Sequence, residues 1–142
     1  FIPTSHHITQ SQGCDFMQYF SPLSTRAFGK QQEALGSNFL QSKGLKSITQ
    51  NYHCRAGEID LIMTDKNQLV FVEVRYRKTA FFGSAVESVT TAKQMKLKRC
   101  AQHYLMSYDK FSNWICRFDV LGIHPLPQGP GYDITWIKNA FF

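Results

Sequence analysis

The sequence predicts one α/β domain in which a mixed central β-sheet is flanked by helices. Two segments, 26–43 and 85–108, carry apolar residues at helical spacing, as helices do when one face packs on a core. Around them lie short runs of β-branched and aromatic residues that are typical of strands. The resulting order is approximately αβββαββ. With 142 residues, 43% of them hydrophobic, the chain is long enough to bury one sizeable core.

The N-terminal segment 1–24 is rich in Ser, Thr, Gln and His and has neither a helical nor an alternating pattern. We therefore expect a loosely ordered tail, followed by a single domain over 25–142. The first helix is predicted over 26–43, because its apolar residues recur three and four positions apart. Gly44 provides a natural C-terminal stop.

Three strands are predicted after the first helix, around 47–52, over 58–64 and over 69–77. The polar turn "DKNQ" between the second and third indicates a β-hairpin. After the second predicted helix come the strand "ICRFDVLGI", a Pro/Gly loop and a last short strand, "DITWI".

Two acidic residues, Asp60 and Glu73, lie within the apolar strands of this hairpin. A buried carboxylate is costly unless a cation, a metal or hydrogen bonds compensate it. Strand alternation puts Asp60 on the face of Ile62 and opposite Ile59. If the strands pair around their turn, Asp60 and Glu73 share one sheet face, and Arg75 lies two residues beyond Glu73. The pattern predicts a compact cluster of two acids and one base.

Two interpretations of this cluster are open from spacing alone. Carboxylates a few ångströms apart repel each other, and a divalent cation between them, Mg²⁺ or alternatively Mn²⁺, would stabilise the pair. Such a site suits phosphodiester hydrolysis, in which the cation activates water and stabilises charge on the phosphate. In the alternative interpretation the acids are structural, and they pair with Arg75, Arg77 or Arg117 to tie strands together.

Basic residues are concentrated directly after the acidic pair. The chain has 16 Lys and Arg against 10 Asp and Glu, and this balance favours a polyanionic partner. We expect DNA, with RNA as the alternative. The segment 75–99 fits either a phosphate-binding surface or a solvated helix face. Its charged residues are seven basic ones and a single acidic one: Arg75, Arg77, Lys78, Lys93, Lys96, Lys98 and Arg99, with Glu87.

Four blocks of the sequence, "GEIDLI", "VFVEVRYR", "AVESVTTAKQMKL" and "CRFDV", resemble the YraN family of uncharacterised bacterial proteins in order and spacing. The similarity extends from about residue 28 to the C-terminus. It implies a restriction-endonuclease-like fold of the PD-(D/E)XK type, similar to archaeal Holliday junction resolvases. In that fold a helix Glu, a strand Asp and an ExK pair form the site, which would correspond here to Glu33, Asp60, Glu73 and Arg75.

The activity implied by the resemblance is metal-dependent cleavage of branched or otherwise structured DNA. Arg75 departs from the pattern, because the ExK motif has Lys at this position. An Arg can clamp a phosphate but does not readily lose a proton, so it serves poorly as a base. A second hypothesis is therefore a nucleic-acid-binding or assembly protein that keeps the fold without hydrolysis.

Lys93 is a candidate for part of the missing lysine's role. It falls on the predicted apolar face of the second helix, where a Lys is unusual, with Gln94 beside it as a polar contact. The alternative is a Lys at the edge of that face whose ammonium group extends into solvent.

The remaining candidates are supporting residues. Glu33 lies at the border of the first helix's apolar face and points either into the site or to solvent. Asp119 is expected to pair with Arg117, Arg75 or Arg77 and to hold the last strand in register rather than to bind metal. Glu58 is a further structural candidate. Four residues are predicted to hold the nucleic-acid backbone: Arg77, Lys96, Lys98 and Arg99.

The cysteines Cys14, Cys54, Cys100 and Cys116 form no CxxC pair, which indicates packing thiols rather than a zinc or redox motif. No apolar run approaches the roughly 20 residues of a membrane span, and no export signal is evident, so we expect a cytoplasmic protein with no membrane partner. The terminal "AFF" is consistent with self-association through an apolar patch.

Overall fold

A computed structural model of this chain describes residues 3–8, 24–78 and 87–142, which form a six-stranded mixed sheet with two helices. The predicted α/β class is confirmed. In chain order the elements are β1 (Thr4–Ile8), α1 (Thr25–Ser42), β2 (Lys46–Cys54), β3 (Gly57–Asp65), β4 (Gln68–Tyr76), α2 (Thr91–Ser107), a 3₁₀ turn (Asp109–Phe111), β5 (Ile115–Pro125) and β6 (Tyr132–Phe141). The strand order across the sheet is β1-β6-β5-β4-β3-β2. Strands β4 and β5 are parallel, and all other neighbours are antiparallel.

Each helix covers one apolar cluster of the sheet. Phe39 and Leu40 of α1 pack with alternate residues of β3 and β4, including Leu61 and Val72. Helix α2 contributes to a second cluster that includes Ile59, Ile62, Phe71, Leu97 and Tyr104. Each helix thus packs against the central strands through its own cluster. Polar side chains on both helices can therefore reach the ends of these strands.

Helix α1 begins after Ser24, whose hydroxyl accepts a hydrogen bond from the backbone N–H of Ala27 at 3.2 Å. Gly36 lies so close to the sheet that an added Cβ would be 3.0 Å from a methyl of Leu121. Glu33, one turn earlier, is therefore held near the strands.

Helix α2 begins at Thr91, whereas the sequence pattern predicted a helix from residue 85. Residues 87–90 are not helical, and residues 79–86 lie outside the described part of the chain. The prediction was wrong at this end because Thr90 is the N-cap: its hydroxyl accepts a hydrogen bond from the backbone N–H of Lys93 at 3.2 Å.

The expectation of a loose N-terminal tail does not hold for Thr4–Ile8, which pair antiparallel with β6. The hydroxyl of Ser5 also donates a 3.0 Å hydrogen bond to Asp133. This strand lies at the edge of the sheet, where polar side chains are common, so it lacked the apolar alternation of a half-buried strand. Residues 9–23, with Cys14, lie outside the described segments.

Asp119 joins several strands through one buried carboxylate, which is completely inaccessible to solvent. It accepts hydrogen bonds from the Arg117 guanidinium, from Nε1 of Trp136 at 3.0 Å and from the backbone N–H of Asn139 at 2.9 Å. Arg117 also donates to Asp65 at 2.9 Å and to Gln68 at 2.7 Å. The network spans β3 to β6, and these bonds compensate the cost of burying the charge.

None of the helices in the described segments is long and apolar enough to cross a membrane.

Candidate active site

The two predicted acids meet where strands β3 and β4 separate. The hairpin pairs from its two-residue turn to Leu61 opposite Val72, and Asp60 and Glu73 are the next residues in that register. There the ladder ends, because Oδ2 of Asp60 accepts a 2.8 Å hydrogen bond from the backbone N–H of Val74. The Asp60 side chain thus accepts from the Val74 N–H, a backbone donor that a neighbouring strand would otherwise bind.

The simple alternation expected through β3 is interrupted at Asp60. Ile59 and Ile62 pack in the same cluster under α2, whereas Leu61 packs under α1, so Ile59 and Leu61 do not share a face as predicted. Opposite Asp60, Asn51 of β2 has a positive φ of 53°. This conformation costs Asn less than most residues and distorts the neighbouring strand at this point. The expected face assignment was therefore wrong for Ile59, although the proximity of the acids was predicted.

Two cations approach Glu73, which is only 4% exposed. Nζ of Lys93 lies 3.6 Å from Oε1 of Glu73, and Nε of Arg75 lies at the same distance from the same oxygen. Lys93 extends from the first turn of α2, so the cap at Thr90 positions it directly. The structure therefore brings together Asp60, Glu73, Arg75 and Lys93.

Glu33 approaches this cluster from α1. Burial raises the pKa of Glu33, and repulsion by Asp60 raises it further. Asn51 hydrogen-bonds to the Glu33 carboxyl and opposes this shift. Beside it is a polar cavity of about 290 Å³ with a mixture of acidic and basic walls. The lining side chains include Arg26, Lys30, Glu33, Asn51, His53 and Glu58.

The two buried acids of the cluster, Asp60 and Glu73, both have raised pKa values. Burial, followed by repulsion from Asp60, raises the pKa of Glu73 from its ordinary 4.5 to about 8, although Lys93 and Arg75 oppose the shift. Burial likewise raises the pKa of Asp60, against the lowering effect of the Val74 N–H. In the metal-free protein, burial beside Asp60 therefore favours a proton on Glu73.

The donor atoms of the cluster fit a hard divalent cation. Oε2 of Glu73 and Oε2 of Glu33 are both buried and have no hydrogen-bond partner. Within the three described segments, no three His, Cys, Asp or Glu side chains already converge as a metal cluster. Mg²⁺ is commonly held by one or two carboxylates and several waters, so Asp60 and Glu73 together are sufficient in ligand type.

Arg75 has a second attachment that turns part of its guanidinium away from the acids. Its Nη2 donates a 2.7 Å hydrogen bond to the backbone carbonyl of Ser88. Gln94 donates to the neighbouring carbonyl of Val89 at 3.1 Å. These two bonds anchor the chain just before α2, and Gln94 is thereby directed to the backbone rather than to the acids.

The predicted backbone-binding residues are distributed over several surfaces. Arg77 is exposed just beyond β4, and the Cβ of Lys96 lies near Gly57 at the β2–β3 turn. Lys98 and Arg99 instead line a groove of about 370 Å³ whose other walls include Phe71 and Phe118. A nucleic acid that contacted all four of these basic residues would have to wrap around α2.

Sequence reasoning missed Asn51, Ser88 and His53. Asn51 carries one signal, since Asn is among the non-glycine residues that most readily accept a positive φ. Ser88 acts through its carbonyl, which no side-chain pattern reveals. His53 lies 3.2 Å from Glu58 through its Nδ1, and both side chains are largely exposed.

The raised pKa of Glu73 predicts a pH-dependent stability in metal-free protein. Between its unfolded pKa, ordinarily 4.5, and its folded pKa of about 8, the folded state binds more protons than the unfolded chain. The free energy of unfolding should therefore decrease as pH rises through this range. Denaturant titrations in a chelator should reveal the slope, and Glu73→Gln should reduce it. Asp109→Asn, on the exposed 3₁₀ turn, is the control and should keep the wild-type slope of stability against pH. An unchanged slope in Glu73→Gln would contradict the assignment of the raised pKa to Glu73.

Comparison with known proteins identifies the family. Residues 32–123 match the description "Uncharacterised protein family UPF0102". A UPF0102 protein of Nitrosococcus oceani is 48% identical over 120 residues, covering 84% of this chain and 95% of the relative. A second, from Saccharophagus degradans, is 51% identical over 113 residues, covering 80% and 91%. The matched region contains every acid of the cluster, and the chain belongs to the uncharacterised protein family UPF0102, the YraN family that its motifs indicated.

Proposed function

We propose that this protein is a divalent-cation-dependent nuclease, or a protein derived from one, that acts on branched or otherwise structured DNA. The observation that carries the proposal is the buried pair Asp60 and Glu73 at the end of the β3–β4 ladder, with an unpartnered oxygen on Glu73. Buried carboxylates without matching donors are costly, and a cation offsets that cost.

The arrangement of elements supports a restriction-endonuclease-like fold. Helix α1 precedes three antiparallel strands, and α2 then crosses to β5, which is parallel to β4. Asp60 of β3 and Glu73 of β4 meet at the strand ends, and Glu33 of α1 is close enough to Asp60 to be repelled by it. In chain order, Glu33, Asp60 and Glu73 would be the three acids of the PD-(D/E)XK pattern.

Each residue has a role that follows from its surroundings. Asp60 and Glu73 would hold Mg²⁺ or Mn²⁺, which would supply polarisation of a phosphate oxygen and of the attacking water. Binding such a cation requires Glu73 to lose its proton, so affinity rises with pH. Glu33, which lines the polar cavity beside the cluster, can orient water or accept its proton.

Lys93 is the cation best suited to contact the substrate. Its side chain is 31% exposed while its ammonium remains near Glu73, so a phosphate entering from solvent can reach it. Arg75 is instead tied to the Ser88 carbonyl and holds the segment that precedes α2. Lys93 then supplies the positive charge that the ExK lysine would otherwise provide.

Arg75 favours a second candidate function, a nucleic-acid-binding protein that has lost hydrolysis. Its guanidinium is fixed to Ser88 and cannot act as a base, and Lys93 with Arg75 already neutralises part of the acidic charge. In this case the acids stabilise the fold, and the basic residues bind DNA without cleaving it.

We expect Mg²⁺- or Mn²⁺-dependent cleavage of four-way-junction DNA by the purified chain, measured beside duplex and single-stranded DNA and structured RNA. Asp60→Asn and Glu73→Gln remove cation ligands with little change in volume and should each lower the rate by at least about 100-fold. Asp109→Asn is the matched acidic control and should cleave normally.

The result separates the two candidates. Salt-sensitive DNA binding without cleavage in either metal would support the binding protein and contradict the nuclease. Cleavage that survives both Asp60→Asn and Glu73→Gln would mean that another site, or a contaminant, performs the reaction. Absence of both binding and cleavage would contradict both candidates.

Once cleavage is established, Lys93 provides a sharper test. Lys93→Ala should lower the cleavage rate by about 100-fold, because it removes the exposed cation beside Glu73. Lys110→Ala, a lysine of the 3₁₀ turn at the other end of α2, should leave the rate unchanged. Full cleavage by Lys93→Ala would contradict a role for this ammonium group in the reaction.

A further inference from the structure

Two cysteines that are distant in sequence are neighbours in the fold. Sγ of Cys54, at the end of β2, lies 2.9 Å from Sγ of Cys100 in α2. This separation is well inside van der Waals contact for two sulfurs, and a shift of about 1 Å would bring them to the bond length of a disulfide. Sequence spacing could not reveal the pair, because the β2–β3 turn and helix α2 meet only in the folded chain.

The two thiols have different surroundings. Cys54 is half-buried at the turn, where it accepts a 3.3 Å hydrogen bond from the backbone N–H of Ala56 and donates its own thiol proton to Sγ of Cys100. Although burial opposes ionisation, these hydrogen bonds lower the pKa of Cys54. Cys100 is fully buried, and burial and its neighbour raise its pKa to about 12. A partly exposed thiol with a lowered pKa, in contact with a buried second thiol, is the arrangement of an oxidisable pair.

We propose that Cys54 and Cys100 are a modification site at which hydrogen peroxide forms an intramolecular disulfide. The Cys54 thiolate attacks one peroxide oxygen, the O–O bond breaks, and the departing hydroxide takes up a proton to leave as water. The Cys100 sulfur then attacks the resulting sulfenic sulfur of Cys54. The S–O bond breaks, and hydroxide leaves with the Cys100 proton as a second water. The two thiols lose two electrons, and the peroxide is reduced to two waters.

The bond would join two parts of the molecule that matter for the acidic cluster. The turn at Cys54 leads directly into β3 and Asp60, and Cys100 lies two turns after Lys93 in α2. A disulfide would fix the β2–β3 turn to the helix at a point where Gly57 already accepts a weak 3.6 Å contact from the Cys100 thiol. The site itself does not depend on the proposed nuclease activity.

Cys116 is an internal control. It is half-buried in β5, its thiol donates to the Trp114 carbonyl at 3.5 Å, and burial raises its pKa. Trypsin separates the four cysteines into the peptides 1–26, 47–55, 100–110 and 111–117. A disulfide can therefore be assigned by mass without ambiguity.

The test is to treat the reduced full-length chain with a small excess of hydrogen peroxide, alkylate it under denaturing conditions and map the digest. We expect peptides 47–55 and 100–110 to become joined and both to lose alkylation, while 111–117 stays alkylated. Thiol reductant should restore both sites. Cys116→Ala should form the same cross-link, and Cys54→Ser should leave Cys100 alkylated.

Two results would overturn the proposal. One is oxidation of Cys54 to sulfinic or sulfonic acid with Cys100 still alkylatable, since the second thiol would then have failed to react. The other is cross-links from Cys54 or Cys100 to Cys116 or Cys14 as frequent as the link between Cys54 and Cys100. Because the wild-type digest is decisive, neither outcome depends on whether a variant folds.

Discussion

The hydrogen bond from the Val74 N–H to the Asp60 carboxylate is the interaction on which the candidate site depends. A hairpin that continued its ladder would pair these backbones and bury two carboxylates in the sheet. By accepting the donor through its side chain, Asp60 ends the pairing, and the strands separate at Asp60 and Glu73. Asn51, which has a positive φ on the neighbouring strand β2, hydrogen-bonds to Glu33 of α1. The cluster is thus a consequence of how the sheet ends.

The balance of charge around this gap is what makes the site chemically unusual. Burial and mutual repulsion favour a proton on Glu73, while Lys93 and Arg75 favour its removal. A proton, a salt bridge and a divalent cation therefore compete for the same oxygens. Oε2 of Glu73 is buried and has no hydrogen-bond donor. A bound cation would therefore best offset the free-energy cost of burying this carboxylate.

Much of the fold was predictable, because apolar periodicity and the "DKNQ" turn depend on local sequence. The site was predictable only in part. The register of the hairpin predicted Asp60 beside Glu73, but it did not predict the break in alternation at Ile59, which lies opposite the positive-φ region of β2 at Asn51. Apolar periodicity did not predict the start of α2, because the Thr90 cap determines it. Nor could it predict the contact between Cys54 and Cys100, which are 46 residues apart in the sequence. Contacts of this kind depend on tertiary packing, so a pattern along one strand or helix does not contain them.

The most direct test of the central claim is paramagnetic broadening of backbone amide signals by Mn²⁺ in the uniformly ¹⁵N-labelled protein. If Asp60 and Glu73 bind the cation, substoichiometric Mn²⁺ should broaden the amides of Asp60, Glu73 and Val74 first, and Mg²⁺ should reverse the effect. Broadening centred on His53, on Asp133 or on no defined region would contradict a cation site at the end of the β3–β4 ladder.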